Sequence, residues 1–125
     1  MEFTDLERIV NDHIDLVEIN AAAIVQSKER SAKFLVIQAI LSSHLKILQD
    51  VKVKAATEES ACYAQALLSA SGKNVTENKI IAEASPVYSA ARERKELIDS
   101  EINWVKQHFD IFNNAHIMFR QYSKE

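Results

Sequence analysis

The 125 residues contain one glycine, one proline and one cysteine. Sandwiches and barrels turn every 8–12 residues or so and build those turns from glycine and proline, so an all-β fold is excluded. Phosphate-cradling loops of the GxGxxG or Walker type need several glycines, and a nucleophile elbow needs two; Gly72 stands alone. Cys62 has no partner for an internal disulfide, which suits a reducing compartment. Its neighbours Ser60, Ala61, Ala64 and Ala66 are small, the setting of a structural thiol. No uninterrupted apolar run approaches 18 residues: the longest, Phe34 to Leu41, is broken by Gln38. The start Met-Glu-Phe-Thr-Asp-Leu-Glu has neither the basic residues nor the apolar stretch of a signal peptide. The expectation is a soluble, cytoplasmic protein, or one intracellular to whatever host makes it, with no membrane partner.

Histidines are few and scattered. His13, His44, His108 and His116 never fall three or four apart, so no helical pair can grip a metal ion. Glu101, His108, Asp110 and His116 share one predicted helix but offer no nucleophile–base pair at their spacing. The expectation is no catalytic residue, no metal, no cofactor and no small-molecule substrate: the chain is not an enzyme.

What is present is helical patterning. Hydrophobic residues make up 47% and charged residues 26%, the balance of an ordered domain. Thr4 and Glu7 have the spacing of a capping box, and Leu6, Ile9, Val10, Ile14 and Val17 follow at helical intervals, predicting a helix over about 5–18. Asn20 marks a joint. From about 21 to 71 neither glycine nor proline intervenes, and the apolar side chains spread wider than one stripe. A kink near Thr57-Glu58-Glu59 would make this two helices, and the pattern leaves both forms open. Gly72 is expected to end it as a left-handed cap. Asn74 or Thr76 caps a short helix over about 76–84, and Ser85-Pro86 starts the last, over about 86–122. In this last helix Ala91, Ile98, Val105, Phe112 and Phe119 recur every seven residues, with Tyr88, Lys95, Ile102, Phe109 and His116 as partner positions.

The fold class expected is all-α, one domain over 1–125. A last helix of about 37 residues would be roughly 55 Å long, while a compact chain of this length spans about 35 Å. The predicted form is therefore an elongated antiparallel helical hairpin with an N-terminal helix and a short helix at the bend. A further stripe, Leu97, Trp104, Ile111 and Met118 with Ala115 and Tyr122 beside it, has no partner in a hairpin. It is the expected oligomer or partner interface, within a homo-oligomeric helical bundle.

The net charge of −3 conceals segregation: residues 1–20 carry −5, residues 21–56 carry +4 and the remainder −2. Two readings are open. The acidic first helix lies along the basic segment of its own or a neighbouring chain, or the basic residues Lys28, Arg30, Lys33, Lys46, Lys52 and Lys54, with Lys73 in the turn, track a phosphate backbone.

The order of these pieces is Thr4–Leu6, Ser71-Gly72-Lys73, Thr76-Glu77-Asn78-Lys79, Ser85-Pro86-Val87-Tyr88 with Ala91, and Trp104 through Phe112. It spans most of the chain and resembles the phage recombination mediator proteins of the UvsY-like group. The resemblance implies a small, non-enzymatic, ring-forming helical protein. Such a protein binds single-stranded DNA and helps load a recombinase while single-strand-binding protein is displaced. A chain at −3 is less basic than a DNA-wrapping mediator is expected to be. The alternative is a structural, adaptor or assembly-chaperone protein that works through protein contacts without nucleic acid.

Overall fold

The computed structural model describes residues 1–124. It is all-α, with no strand among the described residues. Helix α1 spans Phe3–His13 and passes into a 3-10 turn at Ile14–Val17; α2 spans Ala21–Val25, α3 Ser27–Ser69, α4 Val75–Glu83 and α5 Pro86–Ser123.

Each boundary has a local cause. Helix α1 begins two residues earlier than the Thr4 box predicted. Glu2 is its N-cap, and the Asp5 carboxylate accepts from the Glu2 N–H at 3.2 Å, so the reciprocal acid is Asp5 and not Glu7. Asn20 caps α2, its Oδ1 accepting from Ala23 N–H at 2.8 Å. Gln26 (φ −96°, ψ 17°) separates α2 from α3. From there α3 is unbroken for 43 residues. Thr57 caps nothing; its hydroxyl donates back to the Val53 carbonyl at 3.0 Å, a bond a helix interior accommodates. Asn74, not Thr76, caps α4 through Glu77 N–H at 2.8 Å. Pro86 opens α5, and the Ser85 carbonyl accepts from Ser89 N–H at 2.9 Å.

Gly72 departs from expectation. It has no positive φ and is not a left-handed cap. Its N–H donates to Asn78 Oδ1 at 2.7 Å, and a Cβ placed there would lie 2.6 Å from that oxygen. Close approach, not backbone handedness, demands glycine.

Contacts group the chain into two compact units, Met1–Ile47 with the chain from Ile102 on, and Leu48–Glu101. The first has an aromatic core. Phe34 of α3 lies 5.7 Å from Phe112 and 5.5 Å from Phe119 of α5, ring centre to ring centre, and all three are fully buried. Leu6 and Val10 of α1 and Ala23 of α2 are buried in the same unit. The Phe3 ring meets Trp104 edge-on at 5.2 Å. The second unit buries little: Leu48, Ala55, Ala82 and Ala91. Its helices are tied instead by Lys52–Asp99 at 3.0 Å, Lys95–Glu59 at 3.3 Å and Arg94–Glu58, with Tyr63 and Tyr88 in ring contact at 5.2 Å. Within this unit the pairs advance along α3 as they retreat along α5, so the two helices run antiparallel.

Burial follows sevens. Ala91, Val105, Phe112 and Phe119 are buried and Ile98 half-buried, the set that the heptad reading of α5 assigned to the core. On α3 the matching set is Ser27, Phe34, Leu41, Leu48 and Ala55.

One window of α3 reaches a mean hydropathy of 1.2 over 18 residues, long and apolar enough by composition to cross a membrane, although no uninterrupted apolar run does so; a third of the window is buried inside the protein. The core helix of a water-soluble protein meets the same criterion.

Candidate functional site

The seven basic residues expected to follow a phosphate backbone do not act as one group. Arg30 is half-buried, and its Nη1 donates to the Leu16 carbonyl at 2.8 Å, tying α3 to the turn after α1. Lys33 pairs with Glu29 one turn away at 3.5 Å, and Lys52 with Asp99. Lys28, Lys46, Lys54 and Lys73 are exposed and, among the described residues, have no ion pair. The unbroken course of α3 keeps Lys28 and Lys46 on one line about 27 Å apart, with Lys54 about 80° around the helix. The acidic side chains Asp12, Asp15 and Glu18 are exposed, and among the described residues no ion pair joins 1–20 to 21–56. The opposite charges of the two segments are therefore not spent on each other within the chain.

The stripe expected at an interface is divided. Leu97 is 61% exposed, Ile111 39% and Met118 37%. Trp104 is half-buried, packed by Phe3 and stacked on His108 at 4.0 Å. Ala115 is closed off in the core, and Tyr122 leans on Phe119 at 6.0 Å. The Phe3 contact comes from the N-terminal segment, which a two-helix view of the stripe leaves out.

A larger uncovered face lies on α3. Met1, Val36, Ala39, Ile40, Ser43 and Ile47 line a mostly apolar groove of about 410 Å³, with Val36 60% and Ile47 57% exposed. His44 closes one side. It is buried, its Nε2 has no partner, and its ring lies 6.0 Å from Phe3. Burial pushes the His44 pKa below its ordinary value of 6.5; the Met1 ammonium pushes the same way and Glu2 opposes them.

One contact of catalytic appearance has no precursor in local spacing. Ser31 Oγ lies 3.0 Å from His116 Nδ1, across 85 residues of chain. The same Nδ1 lies 2.9 Å from the Ser31 carbonyl oxygen. A carbonyl only accepts, so Nδ1 carries the proton and donates it there. A nitrogen that is donating cannot serve as base toward the adjacent hydroxyl. Ser31 is also buried. The pair is a clamp between α3 and α5. His13 and His108 are similarly engaged, each Nδ1–H donating to a carbonyl four residues back, of Ile9 at 2.7 Å and of Trp104 at 2.8 Å. Among the described residues no three His, Cys, Asp or Glu side chains gather at metal-binding distance.

A polar cleft of about 360 Å³ lies in the second unit, lined by Glu59, Tyr63, Glu83, Tyr88 and Lys95. The cation in its lining is already engaged, since Glu59 holds Lys95, and the Tyr88 ring carries the Arg92 guanidinium at 5.7 Å.

Comparison with protein-family models, with curated proteins and with solved structures finds no match for this chain.

Proposed function

We propose that this protein is a non-enzymatic, self-associating helical protein, built on antiparallel helical hairpins, whose working form is a homo-oligomer. The observation that carries this reading is the surface left uncovered. Large aliphatic side chains stand exposed along both long helices, among them Leu35, Val36 and Ile47 of α3 and Leu97 and Ile117 of α5. The commitment of three histidines to backbone carbonyls supports the non-enzymatic part.

Light scattering on the eluting protein tests this reading. The expected mass is a multiple of 14.1 kDa that persists at micromolar concentration. A mass of one chain at every concentration overturns it.

A second reading, that the oligomer binds single-stranded DNA as a recombination mediator, is favoured by the four lysines that have no ion pair among the described residues. Repeated around an assembly, Lys28, Lys46, Lys54 and Lys73 would build a basic surface that one chain at −3 lacks. Fluorescence anisotropy of a labelled oligonucleotide, read at low and physiological salt, is the measurement. Replacing Lys28, Lys46 and Lys54 together by Ala is expected to weaken binding and flatten its salt dependence. Absence of binding at low salt leaves the adaptor or assembly role, through protein contacts alone.

A further inference from the structure

The exposed face of α3 has a register of its own. Glu29, Lys33, Val36, Ile40, Ser43, Ile47, Asp50 and Lys54 follow one another at alternating steps of four and three. At about 100° per residue they fall within an arc of about 100° on a single unbroken helix. All are exposed except Ile40, which is half-buried. This is an a/d seam in spacing, and it lies on a different face from the seam of Ser27, Phe34, Leu41 and Leu48 that packs inside the chain.

The order of residue types along it is self-complementary. We propose that a second copy of this chain docks on this face, α3 against α3 in antiparallel register about a two-fold axis between Leu41 and Ser42. The proposal rests on the self-association proposed above and names its partner and geometry. Antiparallel seams place each a-type position against a d-type position of the partner. In this register Glu29 faces Lys54 of the second copy, Lys33 faces Asp50, Val36 faces Ile47 and Ile40 faces Ser43. The symmetry repeats each pairing once, giving four opposite-charge contacts at the ends and an apolar centre. The apolar centre coincides with the groove lined by Val36, Ile40 and Ile47.

The alternatives fail on charge. A parallel pairing sets each residue against its own copy, so that Glu29, Lys33, Asp50 and Lys54 each meet a like charge. Sliding the antiparallel register by seven residues one way sets Lys54 on Val36 and Asp50 on Ile40; sliding it the other way sets Glu29 on Ile47. Within the chain Lys54 and Asp50 have no ion pair among the described residues, and Glu29 meets only the neighbouring Lys33. The ends of the seam are thus available to a partner. An isologous contact of this kind closes on itself and does not propagate.

Directed cross-linking in a Cys62→Ser background tests the pairing. Two variants, Val36→Cys and Ile47→Cys, are oxidised separately and after co-expression. The expected result is a disulfide-linked dimer in the co-expressed sample and none in either variant alone, because residue 36 and its own symmetry mate lie about 16 Å apart along the helices. Circular dichroism confirms that each variant is as helical as the parent. Charge reversal supplies a second readout: Lys33→Glu weakens dimerisation about tenfold, and adding Asp50→Lys restores it. Self-linking of Val36→Cys alone, or no link in any sample that light scattering shows to be oligomeric, overturns the pairing while self-association stands. A single-chain mass throughout overturns both.

Discussion

The Nδ1 of His116 on α5 lies 2.9 Å from the backbone carbonyl oxygen of Ser31 on α3, and Ser31 Oγ lies 3.0 Å from the same nitrogen. One imidazole N–H thereby reaches across two helices to a carbonyl. The Ser31 hydroxyl, 3.4 Å from the His116 carbonyl, completes the clamp from the other side.

If this contact is structural, its two members are unequal. His116→Ala removes the donor to the carbonyl and is expected to cost about 1–3 kcal/mol. Ser31→Ala keeps that carbonyl and should cost less than about 1 kcal/mol. Urea unfolding of both variants is the measurement. Equal losses would mean that the hydroxyl, and not the carbonyl, is the partner that matters.

The aromatic core should dominate the stability of its unit. Phe112 is fully buried and touches Phe34. Phe112→Ala is expected to cost about 3–5 kcal/mol, the range for deleting a large buried ring. The unit Leu48–Glu101 buries mainly alanines and relies on exposed ion pairs, which contribute little each. Amide hydrogen exchange should therefore be faster in α4 and over Ala55–Ser69 than over Phe34–Leu41. Uniform protection along α3 would contradict this.

His44 makes stability depend on pH in a defined direction. Its folded pKa lies below the ordinary 6.5 because burial, and then the Met1 ammonium, disfavour the charged ring. Below about pH 6.5 the unfolded chain therefore takes up a proton that the folded chain resists. The contribution of neutral His44 is complete above 6.5 and declines as pH falls toward the folded pKa. Thermal unfolding followed between pH 7 and 5 should show Tm falling, and His44→Leu should remove part of that fall. Since Nε2 of His44 has no partner to lose, the same variant should be no less stable at pH 7. An unchanged pH profile in His44→Leu would refute the assignment.

Gly72→Ala places a Cβ 2.6 Å from Asn78 Oδ1, with the Asn78 backbone nitrogen at 3.1 Å. The backbone there is not left-handed, so the penalty is steric and is expected to be about 1–2 kcal/mol. In an Asn78→Ala background the obstructing oxygen is gone and the effect of Gly72→Ala should shrink. An equal penalty in both backgrounds would point to the Asn78 backbone or Glu77 as the obstruction.

The helices themselves were legible in the amino-acid order. With one glycine and one proline, long stretches had no alternative to helix; Asn20 and Asn74 marked starts by accepting from neighbouring N–H groups, and Ser85-Pro86 marked another through proline's fixed φ and missing N–H. The core of α5 was legible for the same reason: Ala91, Val105, Phe112 and Phe119 repeat every seven residues, and a helix turns that repeat into one face. On α3 the repeat was masked. Its core positions include Ser27, Ser31, Gln38 and His44, while Val36, Ile47 and Val53 are exposed, so hydropathy and burial disagree along it.

The rest was decided by contacts that only the folded chain makes. Two are local: Asp5 meets the Glu2 N–H, where the sequence offered Glu7 to the Thr4 N–H, and Gly72 meets the side chain of Asn78. Others join residues far apart in the chain. Phe3 packs on Trp104, Arg30 reaches the Leu16 carbonyl, and Ser31 meets His116 over 85 residues. Composition and periodicity fix which face of a helix is apolar, because that depends only on 3.6 residues per turn. Which of those faces is covered depends on where the other helices come to rest, and that is set by packing.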